Sequence, residues 1–242
     1  MLFITDRFPI QSIRTRIGRN FTFDLDDIAS SNSVFFCSRE GNNRYNEIDS
    51  RAFLNRLKQT ECGQILIYIH AFSNLAEDVF KDAKEFQNLC NRKKKNDVLV
   101  IPMIWPYDND LGIVRDYWND QKAADQSAYS FARVLQKFMA WRNSNEFNPQ
   151  SDPCLKRINV LAHSMGNRVL RGTLWAWNNY DLASSMPLLF RNTFLVAADV
   201  VNETLHVGHS GELICHASRN VVVYHASDDL DLRASNAANL KN

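Results

Sequence analysis

Short apolar runs recur along the chain, separated by longer segments in which apolar residues return every three or four positions. The runs are rich in Val, Ile and Leu and show little alternation with polar residues, which is the pattern of strands buried on both faces of a sheet. Six of them predict strands: Val34–Cys37, Ile65–Ile69, Val98–Ile101 continuing to Trp105, Ile158–Ala162, Thr193–Ala197 and Val221–Tyr224.

The segments between these runs have the periodicity of helices with one apolar face. Alternating strands and helices predict an α/β fold with a mostly parallel sheet and helices on both faces. In such sheets the active site lies beyond the carboxyl ends of the strands, so chemistry is expected there. Three apolar stripes predict helices: Leu75, Val79, Phe80, Ala83, Phe86 and Cys90; Ala124, Ala128, Phe131, Leu135 and Phe138; and Val169, Leu170, Thr173, Leu174 and Trp177.

Composition and charge exclude several classes of protein. The 242 residues, 45% of them hydrophobic, predict a single globular domain over residues 1–242 with a substantial core. A formal net charge of +1 gives no support for nucleic acid as a partner. No apolar stretch approaches the ~18 residues of a membrane span. The charges of Asp6 and Arg7 argue against a signal peptide.

The cysteines point in the same direction. Their number is odd and no pair has C-x-x-C spacing, which argues against a disulfide framework and against a zinc site. We therefore expect a cytoplasmic protein without a metal or another cofactor, and the sequence leaves the oligomeric state open. The five cysteines are Cys37, Cys62, Cys90, Cys154 and Cys215.

The clearest chemical motif lies where the strand at Ile158–Ala162 runs directly into a predicted helix through His163-Ser164-Met165-Gly166. A nucleophile elbow requires a strand, a tight turn and a helix in this order, with small residues two positions before and after the serine. Ala162, which replaces the usual glycine, and Gly166 meet that need. We expect Ser164 to be the nucleophile and the backbone N–H of Met165 to face a developing oxyanion. The alternative is an ordinary turn with a capping serine.

A second buried strand ends in His70-Ala71-Phe72. In hydrolases of this type, the loop after the equivalent strand supplies the second oxyanion N–H. Phe72 is the expected donor, with Ala71 as the alternative. We expect His70 to hold this loop by hydrogen bonds rather than to act as a base, because the base follows the nucleophile in the chain order of this fold.

A third strand, Val221–Tyr224, is followed by two adjacent acids, Asp228 and Asp229. The hydrolase order is serine, then acid, then histidine, so one of these acids suits the group that orients the imidazole. Both could instead cap a following helix, and Asp199 is a weaker alternative acid at the end of the preceding strand.

These strand ends belong to a set of motifs that runs nearly the whole length of the chain. The chain resembles a family of α/β-hydrolase-like proteins of unknown function, best known from bacterial genomes. The resemblance implies a serine-hydrolase fold with Ser164 as nucleophile and favours Asp229 over Asp228 as the acid, but it implies no substrate. The matching motifs are Val34–Arg39, Ile67–Asn74, Ile104–Pro106, Asp116–Gln121, Leu161–Gly166, Ala197–Asp199 and Asp228–Ser235.

Two departures from this pattern affect the expected activity. Ala71 replaces the glycine usual in the family, and we expect it to displace or strain the oxyanion loop. No histidine follows Asp229, so the expected last strand and the catalytic histidine are absent from Leu230 to Asn242. The chain could be a fragment or end at an early stop, another histidine could serve, or the protein could be a non-catalytic relative. His206 and His209 are the candidate substitute bases, and we expect His163 to be structural.

The sequence therefore predicts a serine hydrolase of the carboxylic-ester type acting on a small-molecule acyl substrate, inactive in this chain if the base is absent. The alternative is a hydrolase-like binding or scaffold protein without turnover. Tyr107, Tyr117 and Trp118 further suggest that Pro106–Asn119 forms a lid over the site.

Overall fold

The computed structural model describes residues 1–27, 29–72, 75–107, 113–143, 156–182, 185–198 and 202–225. Within these ranges, nine strands form one sheet whose order is β2-β4-β3-β1-β6-β5-β7-β8-β9. The strands are β1 Leu2–Arg7, β2 Asn20–Phe21, β3 Ser30–Gly41, β4 Arg44–Ile48, β5 Gln64–Ile69, β6 Val98–Ile104, β7 Arg157–His163, β8 Phe190–Val196 and β9 Ser218–Tyr224.

Six neighbouring strands of the sheet are mutually parallel, so their carboxyl ends lie at one edge of the sheet. These strands are β1, β6, β5, β7, β8 and β9. The remaining three strands extend the sheet in antiparallel fashion beyond β1. This mostly parallel sheet confirms the predicted α/β class. Each of the six predicted runs overlaps a strand, and two runs extend one residue beyond it, since β6 ends at Ile104 and β8 at Val196.

Two features of the sheet differ from the expectation. The run Val34–Cys37 lies in an antiparallel strand, because β3 and β4 form a tight hairpin in which Asn43 takes a φ of 51°. The pattern also missed β1, β2 and β4. In β1 the last two residues, Asp6 and Arg7, are charged yet almost fully buried, so hydropathy alone does not reveal this strand.

Five α-helices accompany the strands in the described part of the chain. Three of them contain the predicted apolar stripes, except that Leu75 directly precedes α2 and Trp177 directly follows α4. The pattern missed α1, which begins after Asp49, whose carboxylate accepts hydrogen bonds from the N–H groups of Arg51 and Ala52. It also missed the short α5. The helices are α1 Ser50–Gln59, α2 Ala76–Cys90, α3 Ile113–Asn143, α4 Gly166–Ala176 and α5 Glu212–Ala217, with a π-helical turn at Trp177–Asp181 after α4 and a 3₁₀ turn at Asn202–Leu205.

The core has two halves, one on each face of the sheet. Helices α1, α3, α4 and α5 pack on one face against Ile65, Ile69 and Val160. On the other face, α2 packs against Leu66 and Tyr68 together with a cluster of aromatic rings from β1 to β4. Burial of both sheet faces explains why the parallel strands read as continuous apolar runs.

The expectations about the cysteines, membrane-spanning helices and the last strand can be compared only with the described residues. Cys37, Cys62, Cys90 and Cys215 are free thiols. Among the helices that are described, none is both long and apolar enough to cross a membrane. The expected absence of a further strand after β9 concerns residues beyond His225, which lie outside the described part of the chain.

Candidate functional site

The turn between β7 and α4 places Ser164 in the left-handed region, with a φ of 49°. This conformation is rare and costly for a residue with a side chain, so the surrounding structure must hold it. The Ser164 N–H donates to the carbonyl of Val196 on β8 at 2.9 Å, and the Ser164 carbonyl accepts from the Asn167 N–H at 3.0 Å. The turn is therefore fixed both to the neighbouring strand and to its own helix.

The close approach of α4 to β5 explains the small residues on either side of Ser164. A Cβ atom on Gly166 would lie 2.5 Å from the carbonyl oxygen of Ile69 and 2.7 Å from that of His70. Ala162 is fully buried in the core on the side of α4. The sequence requirement for small residues thus has a steric cause at position 166.

Asn167 is a second fixing residue, which the sequence analysis did not identify. Its side-chain Nδ2 donates to the carbonyl of Ser164 at 2.8 Å and to that of Val196 at 3.2 Å. Asn167 is buried, and its two bonds connect the turn at Ser164 with the end of β8. The one sequence feature that could have indicated this role is the position of Asn167 directly after Gly166. An amide in the first turn of a helix is too common to predict such a role.

Met165 and Phe72, the two expected oxyanion donors, follow neighbouring parallel strands. Met165 is fully buried directly before α4, and its backbone N–H has no acceptor among the described residues. Phe72 lies three residues beyond Ile69, which pairs with Ala162 across β5 and β7. Ala71 has no positive φ, so the expected left-handed strain at this departure is not found.

His70 is held by hydrogen bonds at both ring nitrogens. Its Nδ1 lies 2.7 Å from the carbonyl oxygen of Ala71, and its Nε2 accepts from the Trp105 N–H at 3.2 Å. The Trp105 indole N–H donates in turn to the His70 carbonyl at 3.1 Å, and the two rings are stacked. Burial lowers the pKa of His70 to about 3, so the ring is neutral near pH 7. These contacts are the ones expected of a residue that holds the loop.

The structure describes the candidate histidines but not the candidate acids. His206 and His209 are exposed after the 3₁₀ turn, with ring centroids 5.9 Å apart, and His225 is exposed at the end of β9. The hydroxyl of Ser164 has no hydrogen-bond partner within the described part of the chain. Asp199, Asp228 and Asp229 lie outside the described residues, so the choice of acid stays a prediction.

The structure does not support the whole of the lid predicted at Pro106–Asn119. Tyr107 is buried, and its ring lies edge-on to His70 with centroids 5.6 Å apart, so it belongs to the core. Tyr117 and Trp118 fall within helix α3, which begins at Ile113, rather than in a loop. Residues 108–112 of the expected lid lie outside the described residues. No group of three or more His, Cys, Asp or Glu side chains in the described ranges could hold a metal ion.

Comparison with known proteins adds one finding. A family model described as alpha/beta hydrolase of unknown function (DUF900) matches residues 46–241, a range that contains β5, β7, β8 and the turn at Ser164. No curated protein and no solved structure gives a match.

Proposed function

This chain belongs to that family of α/β hydrolases of unknown function, and on this premise we propose that it is a serine hydrolase acting on an ester-like acyl substrate. The observation that carries the proposal is the left-handed Ser164 between a buried parallel strand and a helix. A serine in such a strained turn presents its hydroxyl beyond the carboxyl edge of the sheet, where hydrolases of this fold carry their nucleophile.

In the proposed reaction the Ser164 oxygen attacks the acyl carbon while its proton passes to a histidine base. The tetrahedral intermediate expels the alcohol, which takes up that proton, and the acyl group remains on Ser164. Water then attacks this acyl-enzyme, releases the carboxylic acid and restores the hydroxyl. Asp229 is the proposed acid that orients the base, as the resemblance implies.

The oxyanion that forms in each step needs donors already in place. The N–H of Met165 meets this requirement, because it has no acceptor among the described residues and stands directly before α4. The positive end of the α4 dipole adds to the stabilisation of negative charge at this point. The N–H of Phe72, at the end of the adjacent strand β5, is the proposed second donor.

Labelling with a fluorophosphonate probe tests the nucleophile. The full chain should be labelled, Ser164→Ala should not, and Ser210→Ala, which alters an exposed serine, should be labelled like the unaltered protein. Hydrolysis of p-nitrophenyl esters should fall by roughly 10⁴- to 10⁶-fold in Ser164→Ala. Equal labelling of the unaltered chain and Ser164→Ala, or no labelling of either, would contradict the proposal and support a binding protein without turnover.

A second pair of variants tests the acid. Asp229→Asn should reduce kcat on the order of 10⁴-fold, because the imidazole loses its orienting carboxylate. Asp228→Asn is the matched control and should keep kcat within a few-fold of the unaltered chain. The reverse result would assign the acid to Asp228. Ala substitutions of His206 and His209, each with a pH profile of kcat, identify whether either histidine accepts the proton.

A further inference from the structure

A cavity of about 320 Å³ lies between the sheet and helices α1 and α3, toward the edge of the sheet opposite to Ser164. Part of its wall comes from the amino ends of the parallel strands: Ile65 and Ile158 are the second residues of β5 and β7, and Phe190 is the first of β8. Ile67 and Ile101 extend this wall to the middle of β5 and β6. At about 3.3 Å per residue along β7, Ile158 lies roughly 20 Å from Ser164, and Ile67, which pairs with Val160, lies roughly 13 Å from it along the strand direction. The cavity is therefore separate from the proposed catalytic site.

Most residues that line the cavity are apolar, and they come from strands across much of the width of the sheet. Phe53 and Leu57 of α1 and Phe138 of α3 face the sheet residues. The lining extends from Phe36 on β3 to Arg219 on β9, and six strand spacings of about 4.8 Å give roughly 29 Å between these ends. The volume is near the lower end of the roughly 300–1,000 Å³ of small-molecule pockets. A long, thin apolar molecule fits this shape better than a compact one.

The charged residues that line the cavity are all basic among those described: Arg142, Lys156, Arg157, Arg191 and Arg219. The Lys156 ammonium donates to the carbonyl of Cys62 at 2.8 Å and also to that of Thr60. The hydrogen bond from Lys94 lowers the pKa of Asp97, and the positive charge of Arg157 contributes a smaller part of this decrease. Arg157 therefore lies near a carboxylate. The three other arginines form no ion pair with a described carboxylate.

Two of these arginines lie side by side on neighbouring strands. The register pairs Phe190 with Ser218 and Asn192 with Asn220, which places Arg191 beside Arg219. Like charges at neighbouring positions of a sheet repel each other. An anion between the two guanidinium groups would remove this repulsion, and a carboxylate can accept parallel hydrogen bonds from an arginine.

We infer that this cavity binds a long-chain fatty acid, with the alkyl chain against the apolar walls and the carboxylate between Arg191 and Arg219. The elongated apolar space selects the chain, and the paired arginines select the anionic head. The site is independent of the proposed reaction, because it lies toward the opposite edge of the sheet and uses none of the residues around Ser164.

Titration calorimetry of the full chain with dodecanoate, below its micelle concentration, tests the inference. One equivalent should bind, and dodecan-1-ol and dodecyltrimethylammonium, which have the same chain with a neutral and a cationic head, should bind at least about tenfold more weakly. No saturable binding of dodecanoate, or equal binding of all three molecules, would overturn the inference.

Paired variants locate the head group. Arg191→Gln/Arg219→Gln should weaken dodecanoate about tenfold, because two exposed charges next to the carboxylate are lost. Lys81→Gln/Lys84→Gln is the matched control, since it removes the same charge from exposed positions on α2, on the other face of the sheet. Equal weakening in both double variants would show a non-specific effect of net charge and contradict the assigned site.

Trp141, which lines the cavity, locates the chain. A dodecanoate brominated at its last carbon should quench tryptophan fluorescence, and Trp141→Phe should lose most of that quenching while its affinity changes less than about threefold. Ser164→Ala should bind and be quenched like the unaltered chain. Quenching that persists in Trp141→Phe, or binding that is lost in Ser164→Ala, would place the fatty acid elsewhere and overturn the inference.

Discussion

The backbone N–H of Ser164 donates a hydrogen bond to the carbonyl of Val196, 2.9 Å away on the neighbouring strand β8. The residue after Val196 repeats this arrangement one strand further on, because the Ala197 N–H donates to the carbonyl of Tyr224 at 2.9 Å. Both donors are left-handed, with φ of 49° at Ser164 and 44° at Ala197. Two neighbouring strand ends therefore turn sharply at the same edge, and each turn is held by the next strand.

The turn at Ala197 can be relaxed without altering Ser164. A left-handed alanine costs roughly 1–2 kcal/mol, and a glycine avoids most of this cost but loses more backbone entropy on folding. We expect Ala197→Gly to raise the free energy of unfolding by about 0.5–1 kcal/mol in urea denaturation. Ala198→Gly is the control, because Ala198 has no positive φ, and it should lower that free energy. Equal losses in both variants would show that Ala197 is not strained.

The contact between α4 and β5 predicts the effect of a single methyl group. Gly166→Ala should lower the free energy of unfolding by about 1–3 kcal/mol, since the new Cβ would meet two backbone carbonyls that cannot easily move. Gly63→Ala is the matched control, because nothing lies within 4 Å of its Cβ position. Urea denaturation under the same conditions should give a clearly lower free energy of unfolding for Gly166→Ala than for Gly63→Ala. Similar curves would show that α4 can shift away from β5.

Two buried residues give opposing pH dependences of stability. Burial raises the pKa of Asp6 to about 7, although the hydroxyls of Ser127 and Ser30 beside it partly offset this effect. Between pH 3.8, the pKa of an unfolded aspartate, and 7, the folded state binds more protons at Asp6, so stability falls as pH rises. His70 has a folded pKa of about 3 against 6.5 when unfolded, so its contribution rises with pH between these values. The two slopes cancel between about pH 3.8 and 6.5.

Asp6→Asn should expose the slope due to His70. The free energy of unfolding of this variant should rise by up to about 1.4 kcal/mol per pH unit between pH 4 and 6.5, relative to the unaltered chain. Urea denaturation at a series of pH values measures the difference in slope, which does not depend on the absolute stability of the variant. His70→Asn should give a difference of the opposite sign. Parallel curves for all three proteins would contradict the two opposing shifts.

A row of amide side chains crosses three parallel strands. Asn192 Nδ2 donates to Asn159 Oδ1 at 2.7 Å, and Asn220 Nδ2 donates to Asn192 Oδ1 at 3.0 Å. Asn192→Ala should lower the free energy of unfolding by about 1–3 kcal/mol, because the buried Asn159 loses a partner. Asn220→Ala should cost less than half as much, since water can replace an amide at this exposed position. Equal costs, measured by urea denaturation, would show that the row acts through more than these bonds.

The sequence by itself determined five of the six parallel strands, β5 to β9, and the turn at Ser164, since these depend on residues close together in the chain. A strand buried on both faces requires a continuous apolar run, and the requirement for a small residue at Gly166 is visible within a few positions of Ser164. The role of His70 in holding its loop was also predictable, because the chain order of the fold placed the base elsewhere.

Only the tertiary structure decided the features that depend on register between distant segments. Asp6 and Arg7 are buried in a strand that their charge concealed, and Ala71 adopts a backbone conformation that alanine accepts. The bond from Ser164 to Val196 and the pairing of Arg191 with Arg219 arise only when β7, β8 and β9 align. Local sequence patterns specify which residues face a sheet, but only the assembled sheet specifies which side chains from different strands become neighbours.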